Sequence, residues 1–399
     1  IKKYFSYTNT KSVIMQRFIL FVIAFVCFNT SNAQTYNTYY GDIVANVSSS
    51  NVLNDLTTFE NFGIKELGTT ALTNTQNWIT ARYQSLGYTN VVLQPFSFNG
   101  NTTNNIIVTK TGTVYPNTYL IIDAHYDTIN GPGTNDNGTG TVLLLELARL
   151  LKDVDTEYSI KFIHFSGEED GLVGSTYYVN NTVIPQNLDI KLVFNIDEVG
   201  GVNGMTNNTI VCERDQSSPA SNNAASAAQT TILANCMELY SNLNTEISFA
   251  YASDYVPFEN NGEIITGLFE KNESPVNHTI NDNLANMDAT YAYEVVKGAL
   301  GAALEFSVAY DSSLSIVDEQ FVSVSVFPNP ANKYITVAFK NPIQTPVDFK
   351  LIDVQGKEVI SKTLTEQSEK IAVDSLSRAN YVAVFKIENQ RLIKKVILN

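Results

Sequence analysis

The chain has 399 residues, of which 44% are hydrophobic, and a formal net charge of −15. This length suits one large domain plus a smaller one, and so much apolar side-chain surface argues against a disordered chain. The negative charge argues against nucleic acid as a partner, because a phosphate backbone requires a basic protein surface.

A secretory signal peptide is predicted at residues 1–33. A short basic region begins at Met15, an apolar run covers residues 18–28, and small residues precede a predicted cleavage site before Gln34. The apolar run is short for a membrane span, although a signal anchor is the alternative. Residues 1–14 precede the Met, so we expect them to lie upstream of the natural start. The mature chain is expected to be secreted or held at the cell surface, with no membrane span.

Residues 34–310 are predicted to form an α/β domain. Helical patterns extend over residues 51–98, notably in TNTQNWITARYQSLGY, where Gly87 ends the helix. Apolar strands and helices then alternate through the segments NNIIVTKT, TYLIIDAHYD, GTVLLLELARLLKD, YSIKFIHFSGEED, IKLVFNIDEVG, AASAAQTTILANCMELYSNL, GEIITGLFE and ATYAYEVVKGALGAALEFSVAY. This alternation predicts a mixed, mostly parallel sheet with helices on both faces.

The end of the chain has a different pattern. A linker is predicted at residues 311–322 and a small all-β sandwich at residues 323–399, because short alternating strands are separated there by turn residues. The two cysteines beyond the signal, Cys212 and Cys236, could form a disulfide in an exported protein, but two buried thiols also fit the sequence.

Metal-binding and acid–base residues follow the predicted strands. Seven of them lie near the carboxyl ends of these strands or in the glycine-rich turn after the first one: His125, Asp127, Asp136, Glu168, Glu169, Asp197 and His278. Open α/β sheets form their ligand crevice at this edge. Imidazoles and carboxylates together suit Zn²⁺, with Mn²⁺ or Co²⁺ less suited to an exported protein. Five ligands for two metals require one shared ligand, and Asp136, in the middle of its loop, suits that role.

The motifs HYD, GTNDNGTG, SGEEDGLVGS, NIDEVG, SDYVPF and NHTINDNLANMD resemble those of the di-zinc peptidases. This family includes secreted bacterial leucyl aminopeptidases, glutamate carboxypeptidase II and the glutaminyl cyclases, and the resemblance covers about residues 50–305. It implies two Zn²⁺ ions, one held by His125 and Asp197, the other by Glu169 and His278, with Asp136 bridging them.

The same resemblance implies roles for two further carboxylates. Asp127 would accept a hydrogen bond from the imidazole of His125 and fix its tautomer. Glu168 would be the general base that activates the attacking water. His164, inside a predicted strand, matches no ligand position and is predicted to be structural.

The main hypothesis is therefore a secreted zinc metalloaminopeptidase that acts on peptide substrates. A glutaminyl-peptide cyclase, which normally uses one zinc ion, or a carboxypeptidase on the same fold is the alternative, and a non-catalytic surface adhesin is an alternative of another class. Two positions depart from the family: Tyr255, where many relatives have His, and Asn277, where some have Tyr. These departures bear on oxyanion stabilisation and side-chain preference rather than on metal binding.

The C-terminal segment resembles the sorting domain of the type IX (Por) secretion system. The residues that carry this resemblance are VFPNPANKYITV, LIDVQGKEV and the terminal LSRANYVAVF and KKVIL. It implies that the type IX secretion machinery recognises the segment, which is often removed after export. A carbohydrate- or protein-binding β-sandwich is the alternative, since the fold does not determine the function.

Overall fold

The computed structural model describes residues 34–250, 252–311, 324–340, 343, 346–387 and 390–399. The predicted signal peptide and most of the predicted linker lie outside these residues. The described chain divides into two compact units, one that ends at Ala309 and one that begins at Tyr310.

The first unit contains helices of very different lengths. They are Thr38–Val44, Ser49–Asn61, Thr70–Ser85, Thr139–Leu151, Val173–Tyr178, Ile184–Gln186, Asn223–Tyr240, Val256–Asn260 and Ala289–Ser307, with wider helical turns at Thr134–Gly138 and Val179–Val183. Three of the long helices begin at polar caps, because the side chains of Ser48, Thr69 and Asp288 accept hydrogen bonds from backbone N–H groups of the first turn.

An eight-stranded sheet forms the centre of this unit. The strands of the unit are β1 (Val92–Phe98), β2 (Asn101–Lys110), β3 (Tyr115–His125), β4 (Asp155–Thr156), β5 (Tyr158–Phe165), β6 (Asp189–Ile196), β7 (Thr209–Arg214), β8 (Asn244–Phe249) and β9 (Ile265–Glu270), and the short strand β10 (Ala309–Tyr310) begins at its last residue. The large sheet has the order β1-β2-β5-β3-β6-β9-β7-β8, and β4 pairs with β10. Its four central strands, β5, β3, β6 and β9, are parallel, so their carboxyl ends meet at one edge.

Helices cover both faces of the sheet. Successive side chains of β3 point to opposite faces, and apolar side chains on both faces need to be covered. Leu120 and Ile122 pack into the larger core, with residues of the long helices that include Phe59 and Leu144. Ile121 points to the opposite face and joins a smaller core with residues of the short helices that flank β6 and β9. The mixed, mostly parallel fold predicted from the sequence is confirmed.

The helical prediction is wrong at the end of residues 51–98. The last seven of these residues form strand β1, which pairs antiparallel with β2 from Val92 opposite Ile107 to Phe98 opposite Asn101. Strand β1 lies at the edge of the sheet. Pro95 has no backbone N–H, and an edge strand tolerates proline because it has no second neighbour to which that group would donate. The local pattern contained no information about this pairing partner.

The second unit consists of two antiparallel sheets. Its strands are β11 (Val324–Phe327), β12 (Tyr334–Phe339), β13 (Val347–Ile352), β14 (Glu358–Leu364), β15 (Ser368–Ala372), β16 (Asn380–Ile387) and β17 (Gln390–Ile397), in the orders β11-β12-β15 and β14-β13-β16-β17. Buried residues of both sheets, among them Val337, Phe349 and Phe385, form one core. Among the helices of the described chain, none combines the length and the apolar character that crossing a membrane requires.

Candidate metal centre

The predicted site residues converge at the carboxyl edge of the central strands. His125 is the last residue of β3, Asp197 directly follows β6, and Glu169 lies four residues beyond the end of β5. His278 comes from the loop after β9, and Asp136 from the helical turn between β3 and helix Thr139–Leu151. Parallel strands place these five side chains together although up to 153 residues separate them in the chain.

The five side chains form two groups that share one carboxylate. The Nε2 atom of His125 lies 3.2 Å from Oδ1 of Asp136 and 3.3 Å from Oδ1 of Asp197. The Nε2 atom of His278 lies 2.9 Å from Oδ2 of Asp136 and 3.0 Å from Oε2 of Glu169. In each group, one ligand atom from each of three residues lies within 4.8 Å of the others. Asp136 thus turns one oxygen to each group.

This geometry and donor set fit two zinc ions. Ligand atoms about 2.0–2.1 Å from a tetrahedral zinc ion are roughly 3.3 Å apart, close to the separations measured here. Oε1 of Glu169 is buried and has no hydrogen-bond partner among the described residues. Within that part of the chain, the ion-pair partners of Asp136, Asp197 and Glu169 are the two imidazoles, so the carboxylates exceed the available cations. A divalent cation in each group would correct this excess.

The pKa values of the site carboxyl groups reflect their burial and the same excess of negative charge. Burial raises the pKa of Glu169 to about 10, and the charge of Asp136 acts in the same direction. Burial also raises the pKa of Glu168 to about 9, with further contributions from nearby carboxylates. Burial opposes ionisation of Asp136 too, but the hydrogen bonds to His125 and His278 outweigh it and lower its pKa to about 2. Of these three carboxylates, Asp136 is therefore the one that ionises most readily.

Asp127 contacts His125 in a different way from the one the sequence predicted. The backbone carbonyl oxygen of Asp127, not its carboxylate, lies within hydrogen-bond distance of Nδ1 of His125, at 3.1 Å, while the carboxylate is 3.8 Å away. The carboxylate instead accepts hydrogen bonds from the backbone N–H groups of Glu168 and Glu169, both at 3.3 Å. Asp127 thus directs Nε2 of the imidazole towards Asp136 and holds the Glu168–Glu169 segment.

The two adjacent glutamates point to different places, as expected for neighbouring residues of an extended segment. Glu169 contacts His278, whereas Glu168 belongs to neither group of three among the described residues. The carboxylate of Glu168 is near enough to His125 and Asp197 for their charges to influence its pKa. It is thus a buried acid–base group beside the paired ligand sets.

Two family models match the chain. Residues 105–302 match peptidase family M28, and residues 325–399 match the secretion system C-terminal sorting domain. The first match includes all seven predicted site residues. This part of the chain belongs to peptidase family M28.

Curated relatives of the M28 domain include aminopeptidases. Aminopeptidase YwaD of Bacillus subtilis is 40% identical over 106 residues, which are 26% of this chain and 23% of the relative. An aminopeptidase of Pseudomonas aeruginosa strain PAO1 is 34% identical over 170 residues, which are 41% of this chain and 30% of the relative. The chain therefore spans less than a third of the length of these relatives.

Solved structures share the fold of the M28 domain. The LapA aminopeptidase of Legionella pneumophila has a TM-score of 0.59 at 20% identity, over 69% of this chain and 77% of its own. The glutaminyl cyclase of Macrostomum lignano has a TM-score of 0.60 at 16% identity, over 71% of this chain and 94% of its own. At these identities the similarity extends to the fold alone.

Two positions of the M28 domain that depart from the family pattern contact acidic side chains. The hydroxyl of Tyr255 is buried and donates to Oε2 of Glu213 at 3.0 Å. The amide of Asn277 donates to the carboxylate of Glu198, beside Asp197. Glu198 therefore adds a further carboxyl group at the edge of the candidate metal centre, and burial, with the charges of Asp136 and Asp197, raises its pKa to about 10.

Within the described residues, the remaining His and Cys side chains are buried away from the candidate metal centre's two ligand groups. His164 is buried and lies 2.9 Å from the hydroxyl of Tyr83, and burial lowers the pKa of this imidazole to about 3. Cys212 and Cys236 are free, buried thiols. Of the two alternatives for this pair, the structure therefore shows two buried thiols rather than a disulfide.

Sequence reasoning missed the carboxylate that shapes the Asp136 turn. Asp282 is buried, and its two oxygens accept hydrogen bonds from the backbone N–H groups of Asn135 at 2.9 Å and Asp136 at 3.0 Å. Its backbone carbonyl oxygen accepts a third, from Thr134, at 3.2 Å. The available signal was its position four residues after His278, which ties this turn to the loop that carries that imidazole.

We expect Asp282→Asn to lower the zinc affinity of the M28 domain by about 10- to 100-fold, the usual effect of losing a group that orients metal ligands. The amide offers one acceptor oxygen where the carboxylate offers two, so one backbone N–H loses its partner. Competition titration with a chromophoric chelator measures the affinity.

Asp288→Asn is the matched control for this substitution. Asp288 caps helix Ala289–Ser307 through the same kind of backbone hydrogen bonds, and Asn caps helices as well as Asp does. Its zinc affinity should stay within about twofold of the parent value. If Asp282→Asn reduced only the melting temperature and left the zinc affinity unchanged, Asp282 would not position the ligands.

Proposed function

We propose that this chain is an exported zinc aminopeptidase that removes residues from the N-termini of peptides. The observation that carries this proposal is the pair of ligand groups that share Asp136, one oxygen to each. Membership of peptidase family M28 and the aminopeptidases among the curated relatives support the same activity.

In this proposal His125 and Asp197 would hold one zinc ion, Glu169 and His278 would hold the second, and Asp136 would be a ligand of both. Two zinc ions bound in this way would polarise the scissile carbonyl group and lower the pKa of the attacking water molecule. The carbonyl oxygen of Asp127 keeps the proton of His125 on Nδ1, which leaves Nε2 free as a ligand atom.

Glu168 is the general base in this proposal. Its carboxylate accepts a proton from the attacking water as the water oxygen bonds to the scissile carbon, and it then donates that proton to the leaving amine as the C–N bond breaks. Asp127 positions Glu168 through the backbone N–H group. Burial raises the pKa of this carboxyl, which favours proton uptake, while nearby cations would act in the opposite direction and keep the resting group ionised.

Export by the type IX system is the second part of the proposal. It is supported by the match of residues 325–399 to the secretion system C-terminal sorting domain. The sequence-predicted signal peptide at residues 1–33 would direct the first step of this route. The type IX machinery is therefore the proposed partner of the C-terminal unit.

The function is tested with leucyl p-nitroanilide and full-length protein. We expect hydrolysis to be abolished by 1,10-phenanthroline and restored by zinc, because the proposed water activation depends on the bound cations. Metal analysis should find two zinc ions per chain, and N-acetyl-leucyl p-nitroanilide should resist cleavage because it has no free amine. Undiminished hydrolysis by protein shown to be metal-free would contradict the proposal. One zinc ion with cyclisation of N-terminal glutamine would instead support the glutaminyl cyclase alternative.

A further inference from the structure

A segment near the start of the described chain, residues 59–65, packs against the turn that carries Asp136, residues 128–138. We call it the anchor segment. It precedes the residues that match peptidase family M28, so the family match says nothing about it. The packing is close: a Cβ atom on Gly138 would lie 2.7 Å from Cδ1 of Phe59, nearer than side-chain atoms approach in folded proteins. The anchor segment therefore forms a wall behind the turn.

The turn needs such a wall because no strand holds it. His125 is the last residue of β3 and Asp197 directly follows β6, so the sheet itself fixes these two ligands. Asp136 and His278 come from connections between elements, and their positions depend on contacts with other parts of the chain. Two polar side chains of the anchor segment make such contacts.

Lys65 is the first of them. Its side chain is completely buried, and its Nζ atom donates to the backbone carbonyl oxygens of Gly63 at 2.8 Å and Pro132 at 2.6 Å. The same atom lies 3.8 Å from the centre of the Phe59 ring. The backbone N–H of Lys65 donates to Oγ1 of Thr128 at 2.9 Å. Lys65 thus holds the first half of the Asp136 turn through both its side chain and its backbone.

Packing alone does not account for a lysine at this position. Burial lowers the pKa of Lys65 to about 7, although the charges of Asp282 and Glu60 act in the opposite direction. An apolar side chain of similar length would avoid the cost of burying an ammonium group. The neutral amine keeps two N–H groups, so the two bonds to carbonyl oxygens do not depend on ionisation. What the lysine provides is therefore the specific attachment to the turn.

Glu60 ties the same turn to the loop that carries His278. Its Oε2 atom accepts hydrogen bonds from Oγ1 of Thr134 at 2.9 Å and from the backbone N–H of Leu284 at 2.5 Å. Thr134 lies two residues before Asp136, and Leu284 lies six residues after His278. One carboxylate oxygen thus joins the two segments whose ligand atoms, Oδ2 of Asp136 and Nε2 of His278, are 2.9 Å apart.

We propose that Glu60 and Lys65 are positioning residues of the metal centre, which hold the Asp136 turn against the His278 loop and so place the shared carboxylate between the two imidazoles. Neither residue belongs to a ligand group among the described residues. This inference rests on the proposed zinc centre. Without these contacts, ordering of the turn would consume part of the free energy of zinc binding, and the zinc affinity would fall.

The test measures the zinc affinity of the full-length Lys65→Met and Glu60→Ala variants by competition with a chromophoric chelator. We expect each substitution to lower the affinity about tenfold or more, as the loss of groups that orient metal ligands usually does. For Lys65→Met the direction itself is informative. Removal of a positive charge near a cation site would, through charge alone, raise the affinity for zinc.

Lys191→Met is the matched control for Lys65→Met. The Nζ atom of Lys191 also donates to a backbone carbonyl oxygen, that of Phe306 at 2.6 Å, and lies 3.8 Å from the centre of the Tyr158 ring. Lys191 is near the start of β6, about 20 Å along the strand from Asp197. Its substitution removes the same kinds of contact, and we expect zinc affinity within about twofold of the parent value.

Glu60→Gln separates the hydrogen bonds of Glu60 from its charge. The carbonyl oxygen of the Gln amide has two lone pairs and can accept both hydrogen bonds. We therefore expect Glu60→Gln to stay within about threefold of the parent zinc affinity while Glu60→Ala loses about tenfold or more. Equal losses for the two variants would show that only the charge matters and would overturn the positioning role of Glu60.

Melting temperatures of the metal-free proteins identify a purely structural effect. If Lys65→Met and Glu60→Ala melted at lower temperatures but bound zinc with the parent affinity, both residues would be structural and the proposal would be wrong. The two residues are tested separately, so one variant gives the answer if the other does not fold. A parent protein that binds zinc as expected but does not hydrolyse leucyl p-nitroanilide would contradict the proposed function and leave this inference intact.

Discussion

The Glu168→Gln variant is expected to lose between about 100-fold and 10,000-fold in kcat while it keeps both zinc ions. The amide cannot accept the proton of the attacking water, but it has nearly the same size and polarity as the carboxylate. Because Glu168 belongs to neither ligand group among the described residues, zinc binding should survive the change. Steady-state hydrolysis of leucyl p-nitroanilide and metal analysis of the same preparation measure the two effects separately.

Glu169→Gln is the matched comparison, because it makes the same chemical change at the adjacent residue. Glu169 contacts His278 and belongs to a ligand group, so this variant should lose zinc from one site together with activity. The two adjacent substitutions therefore separate acid–base chemistry from metal binding. Normal turnover by Glu168→Gln would remove the proposed base, and loss of zinc from that variant would make Glu168 a ligand instead.

The Asp136→Asn variant is expected to bind at most one zinc ion and to lose activity by about a thousandfold or more, the loss that several kcal/mol of metal-assisted stabilisation implies. A carboxylate can give one charged oxygen to each ion, whereas an amide has one oxygen and an NH₂ group that repels a cation. Isothermal titration with zinc and metal analysis after gel filtration measure the stoichiometry.

Asp197→Asn is the comparison for this variant. Of the two imidazoles, Asp197 contacts only that of His125. Its substitution should therefore weaken one site and leave the other near its parent affinity. Two zinc ions bound by Asp136→Asn with parent affinities would show that Asp136 is not shared. Equal loss of both ions from Asp136→Asn and Asp197→Asn would show that the two sites are filled cooperatively.

Much of the fold could be predicted because its signals are local. The apolar, β-branched runs that became β3, β5 and β6 are buried on both faces, so their composition alone identified them as central strands. Strand β1 was missed for the opposite reason. It is a half-exposed edge strand, and its strand conformation depends on pairing with β2, which no pattern within it records.

The site residues could be named for a similar reason. His125, Glu169 and Asp197 each lie just at or beyond the end of a predicted parallel strand, and parallel strands bring such ends to one edge. What could not be predicted is which atom makes each contact. The carboxylate and the carbonyl oxygen of Asp127 are a few bonds apart, and only the path of the backbone decides which one faces Nδ1 of His125.

The sequence by itself determined the types of side chain available: two imidazoles and three carboxylates proposed as metal ligands, a further glutamate proposed for proton transfer, and the strands that carry them. The tertiary structure alone decided that Asp136 faces both imidazoles, that Asp282 holds its turn, and that the carbonyl oxygen of Asp127 faces Nδ1 of His125. The physical reason is that residue type and local pattern are properties of neighbouring positions in the chain. Distances between side chains, and the charge that they leave uncompensated, exist only after remote segments have packed together.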